Sequence, residues 1–299
     1  MIQSNDIKIK RVRKNAWLRV FLMGLFLFFI GLLIMIFTGN PKLFPTVVMI
    51  GNFLIPITFV VFLYERRQWS QLSLTSTALS FFYGGVLGVL ASSVLEPIFI
   101  RQLSFFNMFV IGLIEEFAKI LGVLVIARRW KHNSEMDGLI LGAAAGMGFA
   151  ALESNGYAFT AFLMSGGSLT STVAVTLIRG ILSPLGHGTW TAILASVLFR
   201  ESGEKHFHIN LKVIETYFVV VILHGLWDGL PILIATYLSP GLDVFIGESL
   251  VAGIGLFILW RRWVEARRLQ DEQQQSLLES EPSQEPTSAA LPPLTSAGY

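Results

Sequence analysis

The sequence contains no cysteine among its 299 residues, which excludes disulfide bonds, thiolate metal sites and a cysteine nucleophile. Charged residues are scarce as well, at 14% of the chain against 53% hydrophobic residues, and the mean hydropathy is +0.64. This balance is far from that of a soluble domain with one core, so it indicates an integral membrane protein whose first partner is the lipid bilayer. The net charge of +2 is small and its basic residues are scattered, so we expect no nucleic-acid partner.

Eight apolar runs approach the length of about twenty residues that a membrane-spanning helix needs. They lie near residues 17–37, 44–64, 79–100, 107–127, 136–163, 173–199, 213–237 and 243–260. The sequence therefore predicts an all-α fold, a multi-pass integral membrane helical bundle of about eight transmembrane helices, within a membrane domain over residues 1–265. From residue 266 the chain is polar and contains proline, which predicts a disordered cytoplasmic tail over residues 266–299.

Lysine and arginine are unequally divided between the two ends of these runs. Seventeen fall in the N-terminal tail, in alternate loops and in the C-terminal flank, whereas the other side carries only Lys42 and Arg101. Loops rich in lysine and arginine stay on the cytoplasmic side of a membrane. The pattern therefore predicts a multi-pass protein of the cell membrane with both termini cytoplasmic.

A small set of polar residues lies at membrane depth within the apolar runs. These residues are Glu115, Glu116, Lys119, Glu153, Asn155, Arg179, His187, His224 and Asp228. Placing the first three in a span costs roughly 8 to 10 kcal/mol if all are charged, so the fourth run needs shelter from neighbouring helices. Ionisable groups inside a membrane are functional by default, and this set predicts a titrating site.

Depth and spacing both bring these residues together. At about 1.5 Å per residue, Glu115, His187 and His224 lie midway along their runs, while Glu153 and Asp228 lie slightly toward the outer side. Polar residues also recur every four positions in the sixth run, at Arg179, Ser183, His187 and Thr191. We therefore expect one polar stripe on each of several helices to line a common site.

The chemistry left open by the residue types is that of glutamate and histidine. No His-Glu-x-x-His and no Gly-x-Ser-Gly occurs, and Asp228 is the only aspartate deep in a run, so the zinc-protease motif, a rhomboid-type serine nucleophile and an aspartyl dyad are absent. Lys119 can pair with either Glu115 or Glu116, leaving the other carboxylate to act as a base. A proton-coupled transporter, an inert membrane scaffold and metal-assisted hydrolysis through Glu and His ligands are the alternatives.

Four segments resemble the PrsW-type glutamic intramembrane proteases, relatives of the CAAX prenyl proteases and bacteriocin-processing enzymes. The segments are EEFAK at 115–119, GMGFAALESN at 146–155, HGTWT at 187–191 and HGLWD at 224–228. The resemblance covers about residues 45–240, and the predicted catalytic core is about 105–237. It implies an endopeptidase without a cofactor or a bound metal, in which a glutamate activates water to hydrolyse single-pass membrane proteins, such as an anti-sigma factor, near the outer half of the bilayer.

The resemblance also implies roles for individual residues. Glu115 and Glu116 match the paired glutamates, His224 and Asp228 resemble the pair that holds the oxyanion, and His187 would pass a proton to the leaving amine. Glu153 stands where the CAAX relatives carry histidine, which favours the PrsW branch, and Lys119, Asn155 and Arg179 would support the site. One residue separates Glu153 from Asn155, where the family pattern has none, and this insertion turns Asn155 by about 100° around its helix.

Overall fold

The computed structural model describes residues 15–67, 70, 72–102, 104–128, 134–202, 206–239 and 241–280, without the side chains of residues 277, 278 and 280. These ranges contain helices and no strand. In chain order the helices are α1 (Ala16–Thr38), α2 (Phe44–Glu65), α3 (Leu74–Phe99), α4 (Phe105–Ala127), α5 (Glu135–Met164), α6 (Leu169–Leu182), α7 (His187–Glu201), α8 (Leu211–Ile234) and α9 (Leu242–Ser280). Single 3-10 turns at Pro41–Leu43 and Ser183–Leu185 precede α2 and α7.

Local sequence sets the start of most helices. Five of them follow a serine or asparagine whose side chain accepts a backbone N–H three residues on: Ser73, Ser104, Ser134, Ser168 and Asn210. Each of these caps satisfies an N–H group that the helix start leaves without a partner. The first two N–H groups of α1, at Ala16 and Trp17, donate instead to the Glu65 carboxylate at the end of α2, which ties these two helices together.

The described helices have the dimensions of membrane spans. Seven helical stretches among the described residues are long and apolar enough to cross a bilayer. Helix α4 has 23 residues, the length of a span, but Glu115, Glu116 and Lys119 add three charges to it. Large apolar side chains cover the outer surface, as at Phe26 and Phe82, which suits contact with lipid. The prediction of an all-α, multi-pass membrane bundle is confirmed.

Helix α5 forms the centre of the bundle. The apolar window of α5 is 94% buried, whereas the windows of the other six stretches are 11–39% buried. Small residues make this possible, because a Cβ atom on Gly85 of α3 would lie only 2.6 Å from the carbonyl carbon of Gly148. Gly146 leaves even less space, because a Cβ atom there would lie closer still to the carbonyl oxygen of His187. Helices α3 and α7 therefore pack backbone to backbone against α5.

The sixth apolar run is two helices rather than one. Helix α6 ends at Leu182, the chain passes through a 3-10 turn, and Gly186 has φ −103° and ψ −109°, outside the helical region. Pro184 lacks the N–H that a continuous helix would use, and its carbonyl accepts the Thr189 hydroxyl at 2.6 Å. His187 therefore lies near the middle of the apolar stretch Leu169–Glu201, as predicted, but at a break in the helix, since it is the first residue of α7.

The C-terminal region also differs from expectation. Helix α9 continues to Ser280, so residues 266–280, assigned from the sequence to a disordered tail, are helical. This part is rich in Gln, Glu, Leu and Arg, which are good helix formers, and Arg268 pairs with Glu272 one turn on at 2.7 Å. Ala266 and Gln270 are buried. Residues 281–299 of the expected tail lie outside the described residues.

Candidate active site

Side chains from five helices meet inside the bundle. Helix α4 contributes Glu115, Glu116 and Lys119, α5 contributes Glu153, α6 contributes Arg179, α7 contributes His187, and α8 contributes His224 and Asp228. Eight of the nine residues predicted from the sequence are thus in one connected network. The close approach of α4 and α8 has a local cause, because a Cβ atom on Gly112 would lie 3.1 Å from the Cβ atom of His224.

Lys119 is at the centre of the network. Its Nζ atom donates to Glu115 Oε2 at 2.9 Å, to Glu116 Oε1 at 2.8 Å and to His187 Nδ1 at 2.8 Å. The side chain is fully buried, and Nζ lies 4.0 Å from the ring centroid of Phe149. The expectation that one glutamate alone would pair with Lys119 was wrong, because a single ammonium group bridges both carboxylates.

Glu116 has hydrogen-bond partners at both carboxylate oxygens. Oε1 contacts Lys119 and, at 3.1 Å, Nδ1 of His224, while Oε2 accepts the Thr191 hydroxyl at 3.0 Å. The side chain has no exposed surface. Glu116 is therefore held on three sides by α4, α7 and α8.

Glu115 is held less tightly. Its Oε2 atom accepts from Lys119 and lies 3.6 Å from His224 Nε2 and 3.8 Å from His187 Nδ1, and the side chain is 4% exposed. Among the described residues, no hydrogen bond involves Glu115 Oε1. One oxygen of Glu115 thus remains available to a substrate or a water molecule.

The two histidines face different partners. Because an ammonium group can only donate, the contact with Lys119 makes His187 Nδ1 an acceptor and leaves the proton on Nε2, which is 3.2 Å from Glu153 Oε2. His224 faces Glu116 with Nδ1, and its Nε2 atom lies 3.4 Å from Asp228 Oδ2. Both ring nitrogens of His224 therefore face carboxylates.

Glu153 is bound by a guanidinium group as well. Arg179 NH2 donates to Glu153 Oε2 at 2.5 Å, and Arg179 Nε donates to the Ser154 hydroxyl at 3.3 Å. The guanidinium carbon also lies 3.8 Å from the ring centroid of Tyr157. Arg179 is consequently fixed in place by α5, and its charge is compensated by Glu153.

Aromatic rings hold the two imidazoles in place. The Trp190 ring lies 4.7 Å from the His224 ring at an angle of 32°, and 5.3 Å from the His187 ring at an angle of 79°. Trp190 is fully buried. Aromatic side chains of this kind restrict ring rotation and exclude water from the groups behind them.

Asn155 does not join the network. Its Oδ1 atom accepts from Asn52 Nδ2 of α2 at 3.1 Å, and its own Nδ2 donates to the Ala151 carbonyl at 3.0 Å. Two residues beyond Glu153, it points about 200° away around α5. The expectation that Asn155 supports the site was therefore wrong, and the extra residue before it explains the difference.

One acidic residue near the site was missed in the sequence. Glu248 of α9 lines a cavity of about 190 Å³ together with Arg179, His187 and Trp227. It stands six residues into the last apolar run, at 242–248 LDVFIGE. Counting every charged residue inside a run, rather than those near its middle, would have found it.

Three of the clustered side chains could in principle hold a metal ion. Ligand atoms of Glu115, His187 and His224 all lie within 4.8 Å of one another. Two imidazoles and one carboxylate form a ligand set that zinc uses in hydrolytic enzymes. Two of these ligands are already engaged, because Lys119 donates hydrogen bonds to Glu115 Oε2 and His187 Nδ1.

Two comparisons with known proteins found matches to this chain. A family model described as "PrsW family intramembrane metalloprotease" matches residues 67–260, more than half of the chain. A curated relative, "Protease PrsW" of Halalkalibacterium halodurans, is 26% identical over 185 residues, covering 59% of this chain and 80% of the relative. No solved structure matches the chain significantly. The chain belongs to the PrsW family of intramembrane proteases.

Proposed function

We propose that this membrane protease hydrolyses single-pass membrane proteins by a water molecule that Glu115 activates. The observation that carries the proposal is the difference between the two adjacent glutamates. Glu116 uses both oxygens in hydrogen bonds to Lys119, His224 and Thr191, whereas Glu115 keeps Oε1 free of partners among the described residues. A base needs an oxygen that can reach water, which favours Glu115 in this role and Glu116 in holding Lys119 and His224.

The remaining steps use the two histidines. Glu115 takes a proton as the water oxygen bonds to the peptide carbonyl carbon, and negative charge develops on the carbonyl oxygen. His224, oriented by Glu116 and Asp228, donates an N–H to that oxygen. The C–N bond then breaks, and the leaving amine receives the proton that Glu115 took from the water. His187 relays this proton, because it lies 3.8 Å from Glu115 Oε2, is 13% exposed and lines the cavity.

A metal ion does not fit this set while Lys119 keeps its charge. An ion about 2 Å from both Glu115 Oε2 and His187 Nδ1 would lie no more than about 2.7 Å from Nζ, because the two ligand atoms are 3.8 Å apart and Nζ is 2.9 Å and 2.8 Å from them. Repulsion between a dication and an ammonium at that distance is about 12 kcal/mol or more at an effective dielectric constant of about 20. We therefore assign the cationic role in this site to Lys119.

Metal dependence has a direct test. The purified wild type should keep its activity in a chelator and contain no stoichiometric zinc by elemental analysis. The matched variant Lys119→Met removes the competing ammonium and should gain zinc at Glu115, His187 and His224. Stoichiometric zinc in the active wild type, with activity lost on chelation and restored by zinc, would overturn the assignment.

The charge distribution supports a cell-membrane protein with both termini cytoplasmic. Arg66 and Arg128 follow the ends of α2 and α4, Arg200 lies in the last turn of α7, and Lys212 lies in the first turn of α8. In a chain that crosses the bilayer with every long helix, these four residues share one side. Glu115 lies ten residues from Phe105, at the opposite end of α4, and twelve residues from Ala127, so we expect cleavage near the middle of the bilayer, toward its outer half. Reporter fusions at each terminus, read for cytoplasmic activity, test this orientation.

The catalytic proposal is tested by comparing new protein termini in cells. Strains carrying the wild type, Glu115→Gln, Glu116→Gln or His224→Ala are compared at equal membrane levels, with Glu215→Gln as a matched control on the exposed side of α8. Loss of the base should lower the rate by about 10²–10⁴-fold, so fragments of single-pass proteins should vanish with Glu115→Gln and persist with Glu215→Gln. Identical profiles in all strains would reject proteolysis by this site.

The break between α6 and α7 does not favour a transporter. Secondary transporters place a pair of discontinuous helices in corresponding halves of the fold. Among the described helices, α2, α3 and α8 contain Pro56, Pro97 and Pro231 but continue through them. The second broken helix that a repeat would need is therefore missing from the described part of the chain.

A further inference from the structure

The cavity beside His187 extends the site toward α9. It measures about 190 Å³ and lies between α5, α6, α8 and α9, with Ser154, Arg179 and Glu248 as polar groups in its wall. This volume is below that of the usual pocket for a drug-sized ligand, about 300–1,000 Å³. A single large side chain is a better match for its size. Because His187 is part of the wall, a side chain in the cavity would belong to a residue next to the scissile bond.

Glu248 lines this wall and forms no hydrogen bond or ion pair within the described part of the chain. Its direction is set by close packing of the preceding residue, because a Cβ atom on Gly247 would lie 3.1 Å from Pro231 Cδ of α8. It stands about 9 Å along α9 from Leu242, where an uncompensated carboxylate is costly unless a ligand or partner supplies positive charge.

Acidic side chains outnumber basic side chains around the cavity. Asp228 and Arg179 are the charged groups that interact electrostatically with Glu248. Arg179 already forms an ion pair with Glu153 at 2.5 Å. Asp228 Oδ2 lies 3.4 Å from Nε2 of His224. Of the three carboxyl groups Glu153, Asp228 and Glu248, only Glu153 forms an ion pair with Arg179 among the described residues, so this guanidinium group does not neutralise Glu248.

We propose that this cavity is a specificity pocket for a basic side chain, lysine or arginine, at a substrate residue next to the cleaved bond, with Glu248 as its ionic partner. The proposal rests on the proposed protease function. A long basic side chain would fill the volume with its apolar stem, against Ile178, Leu182 and Trp227, and would bring its charge to Glu248. It defines the substrate class as membrane-anchored proteins with a basic residue at the cleavage site.

The first arm of the test compares matched substrates. The full-length protein in proteoliposomes is given pairs of single-pass peptides in which one residue flanking the scissile bond is Lys or Met, and kcat/KM is measured for each. The wild type should prefer Lys by about tenfold or more, equal to about 1.4 kcal/mol. The ratio should fall toward one in Glu248→Gln, be retained in Glu248→Asp, and match the wild type in the control Glu215→Gln. A wild-type ratio near one, or a ratio that Glu248→Gln leaves intact, would overturn the proposal.

The second arm reads the cavity without proteolysis. Since the chain has no cysteine, Leu182→Cys introduces a unique thiol in the cavity wall. Its rates of modification by a trimethylammonium and a sulfonate methanethiosulfonate reagent are measured and normalised to a free thiol. The cationic reagent should react several-fold faster, and Glu248→Gln should reduce that preference. If neither peptide is cleaved, the proposed protease function is wrong, and the modification rates alone test the charge preference of the cavity. Equal normalised rates for the two reagents would overturn the proposed pocket for a basic side chain.

Discussion

Removing the ammonium of Lys119 is the perturbation that bears most directly on the buried network. At 2.9 Å and 2.8 Å from the two glutamates, each ion pair amounts to about 6 kcal/mol at an effective dielectric constant of about 20. The cost of burying the ammonium group offsets much of this sum. Breaking a buried pair by removing one partner costs about 3–5 kcal/mol, because the remaining charge stays uncompensated. We expect Lys119→Met to lose that much stability and all activity.

Unfolding in mixed micelles of dodecyl maltoside and increasing SDS, followed by tryptophan fluorescence, measures this loss. The control is Lys42→Met, an exposed lysine in the turn between α1 and α2, which should change the free energy of unfolding by less than about 0.5 kcal/mol. The double variant Lys119→Met/Glu116→Gln removes one carboxylate along with the ammonium and should regain part of the stability, but no activity. A loss below about 1 kcal/mol in the single variant, with no recovery in the double variant, would refute the central role of Lys119.

Two further predictions concern the helices that surround the site. Thr191→Val removes the hydroxyl that donates to Glu116 Oε2, which should cost about 1.5–3 kcal/mol in stability. In the micelle assay, Thr191→Ser should keep more of this stability because it keeps a hydroxyl. Equal stability of the two variants would contradict the role of the hydroxyl. Gly146→Ala would place a Cβ atom against the His187 carbonyl oxygen, whereas Gly156 has open space around it. Gly146→Ala should therefore lower stability and activity together, and Gly156→Ala should lower neither; equal effects of the two substitutions would argue against close α5–α7 packing.

The break before α7 explains how His187 reaches the cluster. A continuous helix through 183–187 would keep His187 on the same stripe as Arg179. Instead the turn at Ser183–Leu185 ends α6, and α7 begins with His187 packed against Gly146 of α5. Both residues still meet at Glu153, with Arg179 on one side and His187 on the other. The spacing of four residues therefore correctly predicted that Arg179 and His187 lie close together, although the two residues do not share one face of a continuous helix.

The sequence by itself determined the membrane class, the position of most helices and the residues of the polar cluster. Apolar runs of about twenty residues allow few structures other than spanning helices. Charged residues inside such runs are costly enough to require partners, so Glu115, Glu116, Lys119, His187 and His224 stood out without any knowledge of packing.

Only the tertiary structure decided how these residues divide their contacts. Lys119 bridges both glutamates, Glu116 is enclosed by Thr191 and His224, and one oxygen of Glu115 makes no hydrogen bond to any described residue. Such choices depend on which helix faces which, and helix pairing is set by contacts between residues far apart in the sequence. The same holds for Glu248, which is brought to the cavity by the packing of Gly247 against Pro231. Local periodicity contains no information about that contact, because α8 and α9 meet through shape rather than through a sequence pattern.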